Sequence, residues 1–322
     1  MVAWAPFAAF ARVPLEQSMT KHFLTGTELQ RGDLEKLLDL ALQLKKERGK
    51  PRKDLEGKSL ALFFEKPSLR THLSFTLAMR ELGGETVESF SLNRKKEEPE
   101  DVIRVAQGYC DAVMLRTHEH SILDRMVKKA KIPVINGLSD DHHPCQILAD
   151  LLTLKEKFGK LEGKCLSYIG DGNNILHSLL LLLPYLGVHV QYACPEGYEP
   201  SAFILKQAKR LAKESGATIQ GFKDPKEAVR GSDAIYTDVW TSMGFEEEEE
   251  KREQAFRGYQ LNSELYKLAN AKALVMHCLP MVRGKEITEE MVDHPASVIF
   301  QQSENRLHAQ KALLLTMLGG RA

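Results

Sequence analysis

Short apolar runs that alternate with segments of helical periodicity constrain the fold of this chain more than any other feature. Residues 165–169 form an apolar run, residues 170–173 a tight turn, residues 174–185 a helical segment and residues 188–193 a second apolar run. A strand, a helix and a strand in this order make a βαβ unit, whose two strands are parallel. The pattern therefore predicts an α/β fold.

The same alternation continues on both sides of this unit. Further strands are predicted at residues 59–64, 113–115, 134–135, 234–237 and 273–277, and further helices at residues 33–46, 68–82, 147–158 and 304–318. A chain of 322 residues has the length of about two average domains. We therefore expect two α/β domains, each with a mainly parallel sheet flanked by helices, and a domain change near residue 150.

Composition excludes several classes of function. Lysine plus arginine and aspartate plus glutamate number 44 each, so the chain lacks the excess positive charge of proteins that coat nucleic acids or bind membranes through basic patches. Its most apolar stretch, residues 179–183, ends at Pro184 and is much shorter than the about 20 apolar residues of a membrane span. Five cysteines, an odd number, favour a reducing, cytoplasmic location over a disulfide framework.

The first 18 residues differ from the rest of the chain. They are apolar, contain the single cation Arg12 and are followed by a second methionine, Met19. Secretory signals begin with a basic region and mitochondrial signals contain several arginines, so neither is predicted. We expect residues 1–18 to be a disordered extension or the product of an upstream start codon.

A candidate anion site follows the first predicted strand, where a helix begins with Ser68, Leu69, Arg70 and Thr71. The N–H groups and the positive dipole end of a helix N-terminus attract anions, and hydroxyl and guanidinium groups add donors suited to phosphate. Ser68 can also be an ordinary N-cap and Arg70 an ordinary surface charge. The motif alone leaves both interpretations open.

Two further candidates lie in the first half of the chain. Arg116 ends a predicted strand, which is where parallel sheets bind ligands, although an exposed loop arginine would show the same pattern. His143 stands beside His142 and two residues before Cys145, a spacing that zinc sites do not use. A neutral imidazole that donates to a carbonyl oxygen is therefore favoured over a metal ligand, and Gln146 is close enough in sequence to reach the same point.

The turn at residues 170–174 lies where a dinucleotide-binding loop would lie. Its third glycine is absent, because position 175 is Ile175, and no acidic residue ends the following strand. A nicotinamide cofactor is therefore not expected. The turn is better suited to present Asn174 to a ligand.

Three candidates lie in the second half of the chain. Asp238 and Cys278 each follow a predicted strand, and Arg306 is placed at the head of the final helix. An acid at a strand end can bind an amine, and a thiol of lowered pKa can act as a nucleophile. Neither a helix start nor an obvious base is adjacent to Cys278, so an inert buried thiol is favoured there. A structural ion pair is an alternative for Arg306.

Together these motifs resemble those of ornithine carbamoyltransferases, and the likeness covers residues 20–320. Four segments appear in the order found in that family: Ser68-x-Arg70-Thr71, His143-Pro144-x-Gln146, Asp238 to Gly244, and His277-Cys278-Leu279-Pro280. The Ser242-Met243-Gly244 segment is typical of the ornithine enzymes, whereas the first two motifs occur in carbamoyltransferases generally.

The resemblance implies a carbamoyl phosphate site. Its residues would be Ser68, Leu69, Arg70, Thr71, Arg116, His143, Gln146, Cys278, Leu279 and Arg306. The first four would hold the phosphate, and Arg116 would bridge the phosphate and the carbonyl oxygen. His143 and Thr71 would polarise the carbonyl, while Gln146, Arg306 and the Leu279 carbonyl would fix the amide.

The resemblance also implies an ornithine site next to it. Asn174, Asp238, Ser242 and Met243 would hold the α-amino and α-carboxylate groups, and Asp238 with Cys278 would orient the δ-amine. The residues implied in catalysis are Arg116, His143, Asp238, Cys278 and Arg306. Phosphate is a good leaving group that can accept the amine proton, so neither a metal nor an organic cofactor is expected.

The family's architecture supplies further expectations. Residues 19–150 would bind carbamoyl phosphate, residues 151–302 would bind ornithine, and residues 303–322 would form a helix that packs back on the first domain. The assembly would be a homotrimer with sites between subunits. The expected partners are the two small-molecule substrates, with neither nucleic acid nor membrane.

Two departures from the family pattern stand out. The family usually has threonine at position 69 and arginine at position 72, where this chain has Leu69 and His72. In addition, Lys95 and Lys96 resemble the loop that aspartate carbamoyltransferases lend to the neighbouring subunit's site. A solvated basic loop is an equally open interpretation.

Two alternative functions remain. One is the same reaction on another amine, such as putrescine or an N-acylated ornithine, although Asp238 and the Ser242-Met243-Gly244 segment argue against it. The other is a non-catalytic, carbamoyltransferase-like binding protein, against which the presence of Arg70, Arg116, His143 and Cys278 argues.

Overall fold

A computed structural model describes residues 22–89, 97–241 and 246–319. Four residues predicted to take part in the site, Lys95, Lys96, Ser242 and Met243, lie outside the described residues, as does the extension at residues 1–18.

The first domain is built on a four-stranded parallel sheet. Its strands are β1 (Ser59–Phe64), β2 (Glu85–Ser89), β3 (Ala112–Arg116) and β4 (Val134–Leu138), in the spatial order β2-β1-β3-β4. The helices of this half are α1 (Arg31–Lys46), α2 (Leu69–Glu81), α3 (Pro99–Ala106) and α4 (His120–Val127). The long helix α5 (Pro144–Phe158) then leads to the second domain.

The second domain is built on a five-stranded parallel sheet. Its strands are β5 (Cys165–Ile169), β6 (His189–Ala193), β7 (Ile219–Phe222), β8 (Ala234–Thr237) and β9 (Leu274–His277), in the order β7-β6-β5-β8-β9. Its helices are α6 (Asn174–Tyr185), α7 (Ala202–Ser215), α8 (Pro225–Ala228), α9 (Glu249–Ala255), α10 (Ser263–Tyr266) and α11 (Glu289–Val292), and the chain's final helix is α12 (Ile299–Leu318). The predicted α/β class with two parallel sheets is confirmed.

The final helix departs from its predicted start. It begins at Ile299 instead of residue 304, because the chain leaves the β9 edge, where the Val298 N–H donates to the Val275 carbonyl, and turns directly into the helix. Arg306 is therefore the eighth residue of α12, and its placement at the helix head was wrong. The helix packs on α1, α2 and α5, so the predicted return to the first domain is confirmed.

Among the helices that the structure describes, α6 is the most apolar, and its residues 175–184 are all buried. It packs against α5 and α7 and forms part of the core instead of crossing a bilayer. Within the described ranges, no helix is both long and apolar enough to span a membrane.

The C-terminal strand ends of the two sheets face the same region of the protein. In each sheet the first strands are added toward one edge, and the chain then crosses over to add the remaining strands on the other side. The strands on either side of this change of direction are β1 and β3 in the first sheet and β5 and β8 in the second. Open α/β sheets bind ligands at the C-terminal strand ends beside such a crossing. Ser68 follows β1, Arg116 ends β3, Asn174 follows β5 and Asp238 follows β8.

Candidate active site

The strand ends of the two sheets surround a cavity of about 340 Å³. The predicted site residues that line it are Ser68, Arg70, Thr71, Arg116, His143, Asn174, Asp238, Cys278, Leu279 and Arg306. Leu69 and Gln146 do not line it. The Leu69 side chain is 68% exposed, whereas Gln146 is buried behind Arg306.

The N-terminus of α2 forms one wall of the cavity. Ser68 is its N-cap, and the Ser68 hydroxyl accepts a hydrogen bond from the Thr71 N–H at 3.2 Å. This is the structural role that the sequence left open, and it leaves other N–H groups of the first turn without partners in the helix. Arg70 is partly buried beside them, and burial lowers the pKa of its guanidinium.

Three arginines converge on this wall. Arg116 is buried, and its Nε has no hydrogen-bond partner among the residues that the structure describes. The pKa of Arg116 is lowered to about 10, mainly by burial and in addition by the nearby charges of Arg306 and Arg70. Cations that are desolvated and repel one another favour an anion between them.

Neutral groups hold the deepest of these arginines. The Arg306 Nη1 donates to Oε1 of Gln146 at 2.7 Å, and its Nη2 donates to the Thr71 hydroxyl at 3.2 Å. Burial lowers the pKa of Arg306. Because neither of these two partners carries a charge, the guanidinium keeps its full attraction for a bound anion.

His143 stands beside the arginines as a neutral imidazole. It occupies the N-cap position of α5, and its backbone N–H donates to the Ser178 hydroxyl at 2.8 Å. Burial lowers the pKa of His143 well below its ordinary value, and the charges of Arg306 and Arg116 act in the same direction. The structure therefore supports a neutral donor at this position.

The opposite wall carries the acid and the thiol. The Cys278 thiol donates to Oδ1 of Asp238 at 2.9 Å, and the Asn173 side chain donates to Oδ2 at 2.8 Å. Burial raises the pKa of the Cys278 thiol well above its ordinary value, and the Asp238 charge raises it further. Cys278 is consequently a protonated hydrogen-bond donor and a poor nucleophile.

Neighbouring residues fix the loop that carries Cys278. Leu279 has a φ of 61°, a left-handed conformation that costs on the order of 1 kcal/mol or more for a side chain of this size. Its N–H donates to Nδ1 of His277 at 2.9 Å, so the His277 proton resides on Nε2, which faces Oε1 of the buried Glu286 at 3.1 Å. This contact orients the Leu279 backbone at the cavity.

Asp238, His277 and Cys278 also have ligand atoms within 4.8 Å of one another, a separation that a metal ion could bridge. However, both nitrogens of His277 are hydrogen-bonded, and the Cys278 thiol donates to Asp238. Coordination would require breaking these bonds and removing the thiol proton.

The turn before α6 requires a glycine. A Cβ atom on Gly172 would lie 2.4 Å from the backbone carbon of Glu199 and the backbone nitrogen of Pro200. This close approach positions the next two residues. Asn173 caps α6 and contacts Asp238, and the Asn174 side chain donates to the Ser139 carbonyl at 2.7 Å.

Several cavity residues were not predicted from the sequence. Lys66 lies two residues before Ser68, and its place two residues after the end of β1 was an available signal. Asp171 and Arg252 line the cavity as an ion pair, with Nη1 of Arg252 2.7 Å from Oδ2 of Asp171. Arg252 follows a run of glutamates that predicts a solvated helix, so its local sequence carried no signal of a buried position.

Family models match both halves of the chain. The model described as "Aspartate/ornithine carbamoyltransferase, carbamoyl-P binding domain" matches residues 21–156, and "Aspartate/ornithine carbamoyltransferase, Asp/Orn binding domain" matches residues 162–317.

Individual relatives and solved structures agree with these models. The chain is 48% identical to the ornithine carbamoyltransferase of Anoxybacillus flavithermus over 303 residues. This aligned region covers 92% of this chain and 96% of that protein. The solved ornithine carbamoyltransferase of Pyrococcus furiosus superposes with a TM-score of 0.91 at 44% identity, covering 95% of this chain and 99% of that one. That of Gloeobacter violaceus superposes with a TM-score of 0.85 at 42% identity, covering 94% and 100%.

Proposed function

Because the chain belongs to the aspartate/ornithine carbamoyltransferase family, we propose that it transfers the carbamoyl group of carbamoyl phosphate to the δ-amine of L-ornithine, giving L-citrulline and phosphate. The observation that carries the proposal is a cavity with two chemically different walls. Arg70, Arg116 and Arg306 form a cationic wall, and Asp238 with the Cys278 thiol forms the wall suited to an amine.

The cationic wall would bind carbamoyl phosphate. The α2 N-terminus and the side chains of Ser68, Arg70 and Thr71 would receive the phosphate, since free N–H groups and a guanidinium suit a dianion. Leu69 would contribute only its backbone N–H, because its side chain points away from the cavity into solvent. Arg116 would contact both the phosphate and the carbonyl oxygen.

The remaining groups of this wall would act on the carbamoyl moiety. His143 would donate a hydrogen bond to the carbonyl oxygen as a neutral imidazole, together with the Thr71 hydroxyl. Arg306 and the Leu279 carbonyl would hold the amide, with Gln146 acting from behind Arg306. Donors aimed at the carbonyl oxygen stabilise the charge that develops there in the transition state.

The opposite wall would bind ornithine. Asp238 and Cys278 would orient the δ-amine, and Asn174 would contact the α-amino and α-carboxylate groups together with Ser242 and Met243. The amine nitrogen attacks the carbonyl carbon, and the C–O bond to phosphate breaks as the C–N bond of citrulline forms. The amine proton passes to the departing phosphate, so the chain itself gains and loses no atoms.

We assign the two substrates to the two domains. Residues 19–150 would bind carbamoyl phosphate and residues 151–302 ornithine, while residues 303–322 would contain the rest of α12, which ends at Leu318. The placement of the first sheet within residues 59–138 and of the second within residues 165–277 supports this division. We place the reaction in the cytoplasm, since the five cysteines are free thiols that a reducing compartment maintains.

A homotrimer is supported by an apolar stripe on α2. Leu69, Leu73 and Leu77 recur every fourth residue, so they share one helix face, and they are 68%, 48% and 36% exposed. Val87 on the edge strand β2 is also exposed. Exposed apolar residues in a row indicate an interface, and the stripe begins beside the cationic wall. A second copy of the chain packed there would place the site near a subunit boundary.

Lys95 and Lys96 would then reach the carbamoyl phosphate of the neighbouring subunit. The proposal rests on their likeness to the loop of aspartate carbamoyltransferases. The last described residue before this loop, Ser89 of β2, pairs with Phe63 near the end of β1 that leads to Ser68, so the chain leaves β2 at the sheet edge that carries the candidate site. A Lys95→Ala/Lys96→Ala variant mixed with Arg116→Ala and reassembled should regain activity in mixed trimers, whereas confirmed mixed trimers without activity would exclude a role across the interface.

The reaction is tested by measuring phosphate release and the carbamoylated product from carbamoyl phosphate with L-ornithine, putrescine, N-acetylornithine or L-aspartate as acceptor, citrulline being the product from L-ornithine, with Arg116→Ala as the control. Turnover confined to L-ornithine supports the proposal. Preference for another amine would show that this amine, and not L-ornithine, is the acceptor. Binding of both substrates without turnover would identify a non-catalytic binding protein.

A further inference from the structure

A buried carboxylate lies behind the cationic wall. Asp150 is on α5, one turn after Gln146, and its side chain is fully buried. It accepts hydrogen bonds from Gln146 Nε2 at 2.9 Å, Gln302 Nε2 at 2.7 Å and the Tyr236 hydroxyl at 3.0 Å. It does not line the cavity, so it has no part in the substrate contacts described above. A carboxylate without solvent access is costly, and three donors from three different elements are needed to hold it.

The first of these bonds determines how the Gln146 amide is oriented. The two ends of that amide have opposite roles: Nε2 donates to Asp150, and Oε1 accepts from the Arg306 guanidinium at 2.7 Å. Rotation of the amide by half a turn would place its NH₂ group against the guanidinium, where two sets of donors would face each other. An acceptor at position 150 favours the orientation that holds Arg306.

We propose that Asp150 is a positioning residue for carbamoyl phosphate, which acts by fixing the Gln146 amide so that its oxygen anchors Arg306. The proposal rests on the proposed function, since it assigns Arg306 to that substrate. It adds a residue that touches neither substrate. Its chemical requirement is an acceptor oxygen at position 150, which asparagine also provides.

The second bond extends from Asp150 to the other half of the site. Gln302 donates from Nε2 to Asp150 and also to the Tyr236 hydroxyl at 3.0 Å, and its Oε1 accepts the His277 N–H at 3.0 Å. Gln302 therefore keeps an acceptor if Asp150 is lost. Gln146 Nε2, in contrast, has no hydrogen-bond acceptor other than Asp150 among the residues that the structure describes. Removal of Asp150 should consequently impair the carbamoyl phosphate half more than the ornithine half.

Steady-state kinetics of three variants tests this prediction. Asp150→Leu removes the acceptor and keeps a side chain with the same branching and number of heavy atoms, so KM for carbamoyl phosphate should rise about tenfold or more, the range expected for a lost hydrogen bond to a charged network. KM for ornithine should stay within about threefold, because Gln302 keeps its Tyr236 contact. Asp150→Asn retains the acceptor and should restore KM for carbamoyl phosphate to near the parent value. Tyr236→Phe, which removes another donor of the same carboxylate, should leave that KM near the parent value.

Two further measurements separate positioning from folding and from the proposed function. If Asp150→Leu does not fold, Asp150→Ser, whose hydroxyl is too short to reach Gln146, should show the same rise in KM. In a Gln146→Ala background, Asp150→Leu should add little, since the two residues act through one contact. An unchanged KM in folded Asp150→Leu or Asp150→Ser, equal rises for both substrates, or additive effects with Gln146→Ala would overturn the proposal. A parent protein that forms no citrulline would instead refute the proposed function.

Discussion

The Cys278 thiol donates a hydrogen bond of 2.9 Å to a carboxylate oxygen of Asp238, although 40 residues separate them in the sequence. The contact forms because β8 and β9 are neighbours in the second sheet, so that the residues following their C-terminal ends meet. It keeps the thiol protonated, since burial and the adjacent charge both raise the thiol pKa. The amine side of the cavity therefore presents a donor and an acceptor, without a thiolate.

This arrangement predicts the behaviour of Cys278→Ser. A serine hydroxyl can also donate to Asp238, so the variant should remain active, with kcat/KM reduced by about tenfold. Cys278→Ala, which has no donor, should lose more. Initial rates with both substrates varied should show a sequential pattern. Ping-pong kinetics, or a labelled carbamoyl thioester trapped on Cys278, would show a covalent mechanism instead.

Arg116→Ala should nearly abolish turnover while the protein stays folded. Arg116 lies at a strand end beside two other cations, where the proposed reaction would need donors for a developing oxyanion. Removing such a donor costs about 3–4 kcal/mol, which is roughly a hundred- to thousandfold in kcat. Arg104→Ala on the exposed face of α3 is the control, and its kcat should equal that of the parent. If kcat of Arg116→Ala fell by less than about threefold, Arg116 would have no role in the reaction.

Inorganic phosphate should raise the melting temperature of the protein. The repulsion among Arg70, Arg116 and Arg306 is relieved by an anion, and a ligand at 100 times its Kd stabilises a protein by about 2.7 kcal/mol. The measurement is a thermal melt with phosphate against sodium chloride of equal ionic strength. Arg70→Ala should show a much smaller shift. An equal shift in that variant would place the phosphate elsewhere.

The sequence predicted the buried strands more closely than the polar ones. The limits of β1, β5 and β8 match the predicted runs, because strands covered on both faces are continuously apolar. The edge strands β2 and β7 were missed. They contain exposed polar residues such as Glu88 and Gln220, so their sequences lack an apolar run.

The cavity was predicted from strand ends and motifs, but the groups behind it were not. Arg70, Arg116, Asp238 and Cys278 all follow or end strands, and parallel strands bring such positions together. Asp150 lies within α5, and the periodicity of a helical sequence predicts which of its side chains are buried but not which groups they contact. Its three donors come from α5, β8 and α12, and only the tertiary packing brings these elements together.

The apolar stripe on α2 predicts the effect of a charge on assembly. If this face forms the proposed trimer, Leu73→Glu should weaken association by at least about tenfold, because it would bury a charge against leucines of another copy. Activity should fall with assembly if the site lies between subunits. Phe203→Glu on α7 alters another exposed apolar residue, 67% exposed against 48% for Leu73, and should leave the assembly unchanged. Sedimentation velocity distinguishes the species, and a trimeric Leu73→Glu variant would exclude this face.

The buried carboxylate predicts a pH dependence of stability. Burial raises the pKa of Asp150 to about 7, against about 4 for an aspartate in an unfolded chain. Between these values the folded protein retains a proton that the unfolded chain has released, so stability falls as pH rises through this window, and the full cost is present above pH 7. Asparagine does not ionise, and therefore avoids that cost.

Asp150→Asn should accordingly gain stability relative to the parent as pH rises from 5.5 to 8. The expected gain is on the order of 2 kcal/mol, or a few degrees in melting temperature. Thermal melts of both proteins at the two pH values measure it. Asp124→Asn, at an exposed position of α4, is the control and should show no comparable change. A melting-temperature difference between Asp150→Asn and the parent that does not vary with pH would mean that Asp150 is ionised throughout this range, held by its three donors against the effect of burial.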